Sequence, residues 1–318
     1  MKLFETKINK KDAKVITEVI ESGLLGFGQN VLEFEKGFAP FSNKKYNVST
    51  NSASAAAFII FSYLREKYGV CDVYTTSLGF TSPAWAAKHF EHNLYFVDVQ
   101  PDLQFCSLHY KNIRKTTKNT VVVMPVLYGG VSKIDGFELV GDEIVVVDSA
   151  HCVTPTISSD FIFFSFHPYK PIGTSDGGMI STDDAAASQY FLRYRNFGRK
   201  QQGNSYDITH DGFKFYMNNL NATIGLTQIK RYGDLLERRK KNYELLKARF
   251  KLLGHDDNSS YYFATTLLDE ANKIIEKNGF ARHYPMLHKA KYYETQQRLP
   301  FLESVHSKIL NLPLHCQL

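Results

Sequence analysis

Three groups of residues in this chain have types and spacings suited to chemistry. Asp148 closes the apolar run Val145-Val-Val and is followed by Ser149-Ala-His151. A carboxylate leaving a buried run needs a cation or a proton donor beside it, or its desolvation stands unopposed. Its plainer reading is an aspartate capping the next turn. Lys170 ends the stretch Phe161-Ile-Phe-Phe-Ser165-Phe-His-Pro-Tyr-Lys170, four residues past an apolar strand. A lysine held partly out of water near another cation has a lowered pKa and can form a Schiff base; in an open loop it is an ordinary surface lysine. Ser52-Ala53-Ser54 stands where a strand turns into a helix. Small residues there let the backbone approach an anion, and the free N–H groups with the helix dipole hold a phosphate. The same residues also suit close helix packing.

Together the three groups supply what pyridoxal phosphate needs: a phosphate cup, a carboxylate for the pyridine nitrogen and an amine for the aldehyde. Other patterns fit less well. Gly173-Thr-Ser175-Asp-Gly177 satisfies the spacing of a hydrolase nucleophile elbow, but a loop precedes it and a β-like run follows it, where the elbow needs strand, turn and helix. Gly26-Phe-Gly28-Gln-Asn resembles the start of a dinucleotide fingerprint, yet Val31 fills the sixth position and no strand comes before it; a loop between two helices is expected. His283 and His288 flank a proline without a cysteine or carboxylate at ligand spacing, so no metal is expected, and the histidines read as polar lining or surface.

These groups must be held by a framework, and the rest of the chain describes one. Its 318 residues suggest about two lobes. With 43% hydrophobic and 22% charged residues, it is neither disordered nor a disulfide scaffold. The net charge of +6 favours an anionic ligand but is too small and dispersed to indicate nucleic acid. The longest apolar runs fall far short of the roughly 18 residues of a membrane helix, and the N-terminal charges have no apolar core behind them. A cytoplasmic protein with free thiols at Cys71, Cys106, Cys152 and Cys316 is expected.

The periodicity predicts a helix over residues 11–22 burying Val15, Ile16, Val19 and Ile20, a strand over 46–50 and a helix over 54–68. Further strands are predicted over 73–78, 94–99, 120–126, 143–148, 161–166 and 179–182. Several are apolar throughout, as in strands covered on both faces. Residues 198–212 read as a polar loop, and 217–253 as a long helical segment broken near Gly233, with Arg238-Arg239-Lys240-Lys241 on a solvated face. The fold class is α/β, with helix layers on a sheet. The large domain is placed at 1–232 and a small α+β domain at 233–318.

With these elements in order, the chain resembles the DegT/DnrJ/StrS family of pyridoxal-phosphate sugar-nucleotide aminotransferases over nearly its whole length. The resemblance rests on Glu21-Ser-Gly-Leu-Leu-Gly-Phe-Gly with Phe34-Glu35, Asn51-Ser-Ala-Ser-Ala-Ala, Phe96-Val-Asp98-Val-Gln-Pro-Asp102 and Val147-Asp148-Ser-Ala-His151. It continues through Ser165 to Lys170, Asp176-Gly-Gly, Arg195-Asn-Phe-Gly198-Arg199, Met217 to Gln228 and Ile309 to His315. It implies fold type I: a three-layer large domain on a mixed, mostly parallel sheet, a small C-terminal lobe, and a homodimer with shared active sites.

Carried over, Lys170 is the cofactor-bearing lysine and proton-moving base, and Asp148 pairs with the pyridine nitrogen. His151 lies near the ring hydroxyl, Phe80 stacks on the ring, and Ser52, Ala53, Ser54 and Ser165 form the phosphate cup. Where the family has an Asn that reaches a neighbour's phosphate, this chain has Lys214, and Tyr216 replaces an Arg. The implied reaction moves an amino group from L-glutamate to a nucleotide-linked keto-sugar, foremost a 4-keto-6-deoxyhexose. Two alternatives stand beside it: a sugar 3-dehydratase, which would place histidine where Lys170 stands, and a non-catalytic relative.

Overall fold

A seven-stranded sheet carries the chain, and its two faces explain why so many strands are apolar at every position. The computed structural model describes residues 2–5, 8–202, 205–278, 283–293 and 295–315; Cys316 lies outside them. Helices α1 (Lys10–Glu21) and α2 (Gln29–Ser42) precede β1 (Tyr46–Thr50) and α3 (Ala53–Tyr68). Then come β2 (Cys71–Thr76), α4 (Thr81–His89), β3 (Asn93–Val97), α5 (Ser107–Ile113), β4 (Thr120–Met124), β5 (Ile144–Asp148), β6 (Phe161–Ser165), β7 (Gly178–Thr182) and α6 (Ala185–Tyr194). A hairpin of β8 (Arg199–Gln202) and β9 (Ser205–Ile208) leads to α7 (Asn219–Lys230) and α8 (Tyr232–Lys247). The chain closes with β10 (Phe263–Leu267), α9 (Ala271–Asn278), α10 (Pro300–Val305) and β11 (Ile309–Pro313).

The order across the sheet is β1-β7-β6-β5-β4-β2-β3, with β7 antiparallel to both neighbours and the other pairs parallel. Alternation then divides the strands between two cores. Val145, Val147, Ile162 and Phe164 point to the side of α2 and α7, where Phe38 meets Phe164 edge-on at 4.9 Å. Val146, Phe161 and Phe163 point to α3 and α6. Each fully buried apolar side chain of this size contributes roughly 1.5–3 kcal/mol, so both faces must be covered for the strands to persist. A third cluster joins Leu78, Phe96 and Tyr128 to Tyr262, Phe263, Leu287 and Ile309 around the small antiparallel pair β10–β11. The junction is close: Gly129 and Gly130, at φ +78° and +92°, accept from the amides of Tyr262 and Ser260 at 3.0 and 2.6 Å. No helix among the described residues is long and apolar enough to cross a membrane.

Several expectations need correction. In α1 only Val19 of the four expected residues is buried; Ile16 is half-buried, and Val15 and Ile20 are exposed. The helix lies on α7 along a narrow stripe, so periodicity found the helix but not the width of its covered face. Residues 198–212 are not simply a loop, because Arg199–Gln202 and Ser205–Ile208 pair as a hairpin whose polar side chains show no burial pattern. The long helical segment does break near Gly233, at Arg231, which leaves helical geometry and reaches Asp12 at 2.6 Å. Arg239 is buried rather than solvated, donating to the carbonyls of Tyr261 and Tyr262 at 3.2 and 3.3 Å.

Candidate active site

Parallel strands leave their C-terminal ends free for ligands, and here β5 and β6 end side by side. Asp148 is the last residue of β5, registered against Phe163 of β6; Ser165 ends β6 two residues later. The chain then makes a tight turn, with the Lys170 amide donating to the His167 carbonyl at 2.9 Å, and this turn returns Lys170 toward the end of β5. Both side chains line one cavity of about 320 Å³, together with Ser52, Ala53, Ser54, Phe80, His151 and Ser165.

The electrostatics follow from this enclosure. Asp148 is buried, and its carboxylate accepts the Ala150 amide at 3.0 Å. Burial raises its pKa to about 6, opposed by that hydrogen bond and by the Lys170 charge. The Lys170 side chain borders the open cavity and is therefore partly accessible. The amine nevertheless lies deep among protein atoms, 4.6 Å from the Tyr262 ring centroid. Its burial lowers its pKa to about 7, with Asp148 pulling the other way. His151 is buried, and enclosure first, then the charges of Lys170 and His283, hold its pKa well below the usual value.

On the opposite wall, Ser52 caps α3, its Oγ accepting the Ala55 amide at 3.1 Å. Helix geometry leaves the first amides without intrahelical acceptors, and Ala53 and Ser54 border the cavity there. Ser54 Oγ reaches Ser82 Oγ at 2.8 Å. Gly178 of β7 lets this turn come close: a Cβ on it would lie 2.5 Å from the Ser52 carbonyl and 2.6 Å from the Ala53 nitrogen. Phe80 stands at the rim, 55% exposed, its ring 6.0 Å from that of Tyr284.

Lys214 is not brought to this cavity. It is exposed, its carbonyl accepts from Asn51 Nδ2 at 3.2 Å, and its ammonium meets the Tyr216 ring at 5.8 Å. Ser175 also lies outside the lining, in a loop joining β6 to β7, so the strand–turn–helix of a nucleophile elbow is absent. His288 is buried in a structural role, bridging Ser77 at 2.7 Å and Glu303 at 3.2 Å.

Sequence reasoning missed five aromatic residues of the lining: Phe4, Phe163, Tyr169, Tyr262 and Tyr284. Phe4 stacks on Tyr262 at 4.7 Å and 11°, and His315 Nε2 donates to the Lys2 carbonyl beside it. Nothing local marks Phe4, Tyr262 and Tyr284, since each arrives from a segment distant in sequence, whereas Tyr169 adjoins Lys170. His283, read as polar lining or surface, does line the cavity.

The geometry has counterparts among known proteins. The sequence model of the DegT/DnrJ/EryC1/StrS aminotransferase family matches residues 6–318. The chain is 28% identical to the spore coat polysaccharide biosynthesis protein SpsC of Bacillus subtilis, covering 97% of this chain and 90% of that protein. It is 24% identical to a Campylobacter jejuni UDP-4-amino-4,6-dideoxy-N-acetyl-beta-L-altrosamine transaminase, over 95% and 80% of the two. Among solved structures, Helicobacter pylori PseC, an aminotransferase involved in the biosynthesis of pseudoaminic acid, superposes with a TM-score of 0.88 at 21% identity, covering 100% of this chain and 94% of that one. The PLP form of the putative sugar aminotransferase Spr1654 from Streptococcus pneumoniae gives 0.87 at 23%, again covering 100% and 94%. At these identities the structures speak for the fold, which is that of the fold-type-I aminotransferases.

Proposed function

The chain belongs to the DegT/DnrJ/EryC1/StrS aminotransferase family, and we propose that it transfers an amino group from L-glutamate to a nucleotide-linked keto-sugar, foremost a 4-keto-6-deoxyhexose, using pyridoxal phosphate. The observation that carries this reading is the pairing of Asp148 and Lys170 in one cavity, facing the open end of α3. The residues fit the cofactor. The Ala53 and Ser54 amides with the Ser52, Ser54 and Ser165 hydroxyls would hold its phosphate, and the absence of a Cβ on Gly178 keeps that cradle open. Asp148 would face its ring nitrogen, Lys170 its aldehyde carbon, and His151 and Phe80 its ring.

When bound, that group supplies an electron sink for the carbon that loses its proton. The protein supplies the rest. Asp148, buried at the end of β5, would as a carboxylate hold the ring nitrogen of that group in its protonated form. Lys170 Nζ, with a pKa near neutrality, can take a proton from carbon and return it without a large penalty either way. The apolar walls of Phe4, Phe80, Tyr262 and Tyr284 keep water from the reacting carbon. Lys170 also disfavours the dehydratase alternative, whose members carry histidine there.

We further read the protein as a homodimer. Leu24, Leu25, Phe27 and Phe213 expose between 42% and 70% of their surface, apolar side chains that a second copy would cover. Lys214, which meets no carboxylate among the described residues, would then reach the phosphate of a second copy.

The test is spectroscopic and chemical. Protein mixed with pyridoxal phosphate should turn yellow and lose the colour on adding glutamate, and Lys170→Ala should do neither. A panel of nucleotide keto-sugars, read by mass for the amino product, identifies the acceptor. Wild-type protein that stays colourless, or that ignores glutamate and every keto-sugar, overturns the reading.

A further inference from the structure

The hydrogen-bond inventory around His151 leaves one donor unspent. His151 Nδ1 lies 3.3 Å from the backbone nitrogen of Gly129, and a peptide N–H can only donate, so Nδ1 carries the lone pair. The ring is neutral in its buried setting, which puts its hydrogen on Nε2. Nε2 lies 2.9 Å from Tyr284 Oη. Nε2–H therefore donates, Oη accepts, and the phenolic hydrogen must point elsewhere. Among the described residues Oη has no second hydrogen-bond partner. Burial raises the Tyr284 pKa well above its usual value, so that hydrogen stays on the oxygen at physiological pH.

The tyrosine is also held in place from both sides. The carbonyl of His283 accepts from Tyr128 Oη and Asn311 Nδ2, at 2.5 and 3.1 Å. The carbonyl of Tyr284 accepts from His306 Nε2 at 2.8 Å. Its ring stacks on His151 at 5.8 Å and 21° and borders the same cavity as Asp148 and Lys170. A donor fixed this firmly, with no acceptor among the described residues, is arranged for an acceptor that arrives with a ligand.

We propose that Tyr284 donates a hydrogen bond to a negatively polarised oxygen of the molecule held between Asp148 and Lys170: the ring oxygen of the cofactor or the carbonyl oxygen of the keto-sugar. This rests on the function proposed above and adds a residue that the family resemblance did not supply. His151 acts here as a positioning residue, presenting Tyr284 Oη as donor only.

The experiment compares wild-type and Tyr284→Phe holoenzyme by two readouts. One is the pH titration of the visible cofactor band; the other is the separate kinetics of the glutamate and keto-sugar half-reactions. A cofactor contact shifts the band's titration by about one pH unit or more. A sugar contact leaves the titration in place and lowers kcat/KM for the keto-sugar roughly tenfold or more, with the glutamate half-reaction unchanged. Either result supports the assignment and tells the two oxygens apart. A titration unmoved and both half-reactions within about twofold of wild type overturn it. Should the phenylalanine variant fold poorly, a fluorinated tyrosine at 284 keeps the hydroxyl and makes it a stronger donor. It should move the same readout in the opposite direction, and no movement is again a refutation. Wild-type protein without a cofactor band overturns the underlying function and this assignment with it; a normal wild type beside an unaltered Tyr284→Phe overturns this assignment alone.

Discussion

Lys170 supplies the positive charge that opposes burial of the Asp148 carboxylate, and Asp148 supplies the negative charge that supports the Lys170 ammonium. For both groups burial outweighs the partner, so the pair sits close to neutrality rather than as a strong ion pair. This gives the cofactor-free protein a defined pH signature. Between about pH 7 and 10.5 the unfolded chain holds a Lys170 proton that the folded chain has released. Stability from this group therefore rises with pH, by at most ~1.4 kcal/mol per unit. Between about pH 3.8 and 6 the folded chain keeps an Asp148 proton that the unfolded chain has lost, so stability from that group falls as pH rises. Urea midpoints of the apoprotein, wild type minus Lys170→Met, should show the rising limb above pH 7. A flat difference across that window would mean the amine is not desolvated.

Gly178→Ala should damage the phosphate cradle before it damages anything else. The added Cβ would meet the backbone of Ser52 and Ala53 at 2.5–2.6 Å, and backbone cannot step aside as a side-chain tip can. We expect a loss of roughly 1–3 kcal/mol in stability and at least a roughly tenfold weaker hold on pyridoxal phosphate. Equilibrium dialysis of the cofactor and a denaturant melt measure the two effects separately.

Phe4 offers a milder change. Its ring stacks on Tyr262 and meets His283 edge-on at 5.1 Å, so Phe4→Ala removes part of the cavity wall without disturbing Lys170. The expected stability loss is about 1 kcal/mol from the aromatic contacts. KM for the keto-sugar should rise while kcat changes little. A fall in kcat with KM unchanged would mean that Phe4 does not shape the sugar pocket.

Arg195 is buried and bonds Glu35, the Ser49 carbonyl at 2.6 Å and Ser49 Oγ at 3.1 Å. It thereby ties α6 and α2 to β1, the strand that delivers Ser52. Arg195→Ala strands the Glu35 carboxylate and should cost about 3–5 kcal/mol. Arg195→Ala with Glu35→Gln should recover part of that loss in a thermal melt, and no recovery would show that the charge itself is not what matters.

Much of this was legible in the chain. The runs Val145–Asp148 and Phe161–Ser165 announced strands buried on both faces, because a two-sided environment removes the need for alternation. The turn at Ser52 was legible because helix starts use a small residue with an accepting oxygen, and Ser52 does cap α3. The hairpin after Gly198 was not, since Arg199–Gln202 and Ser205–Ile208 have no buried face to impose a period of two. Nor was the buried state of Arg239, which follows the exposed Arg238 and whose partners, the Tyr261 and Tyr262 carbonyls, lie beyond the end of its helix.

The amino-acid order by itself determined which strands make the central sheet, that helices must cover both sides of them, and that an acid and an amine emerge at strand ends. Those are consequences of local periodicity and desolvation, which depend on near neighbours. Only tertiary structure decided that the N-terminal Phe4, Tyr262 just before β10 and the Tyr284 loop would converge on Lys170, and that the amide of Gly129 would fix which nitrogen of His151 bears hydrogen. Contacts between separate segments of the chain leave no periodic trace, because nothing in one segment's sequence need change to accommodate the other.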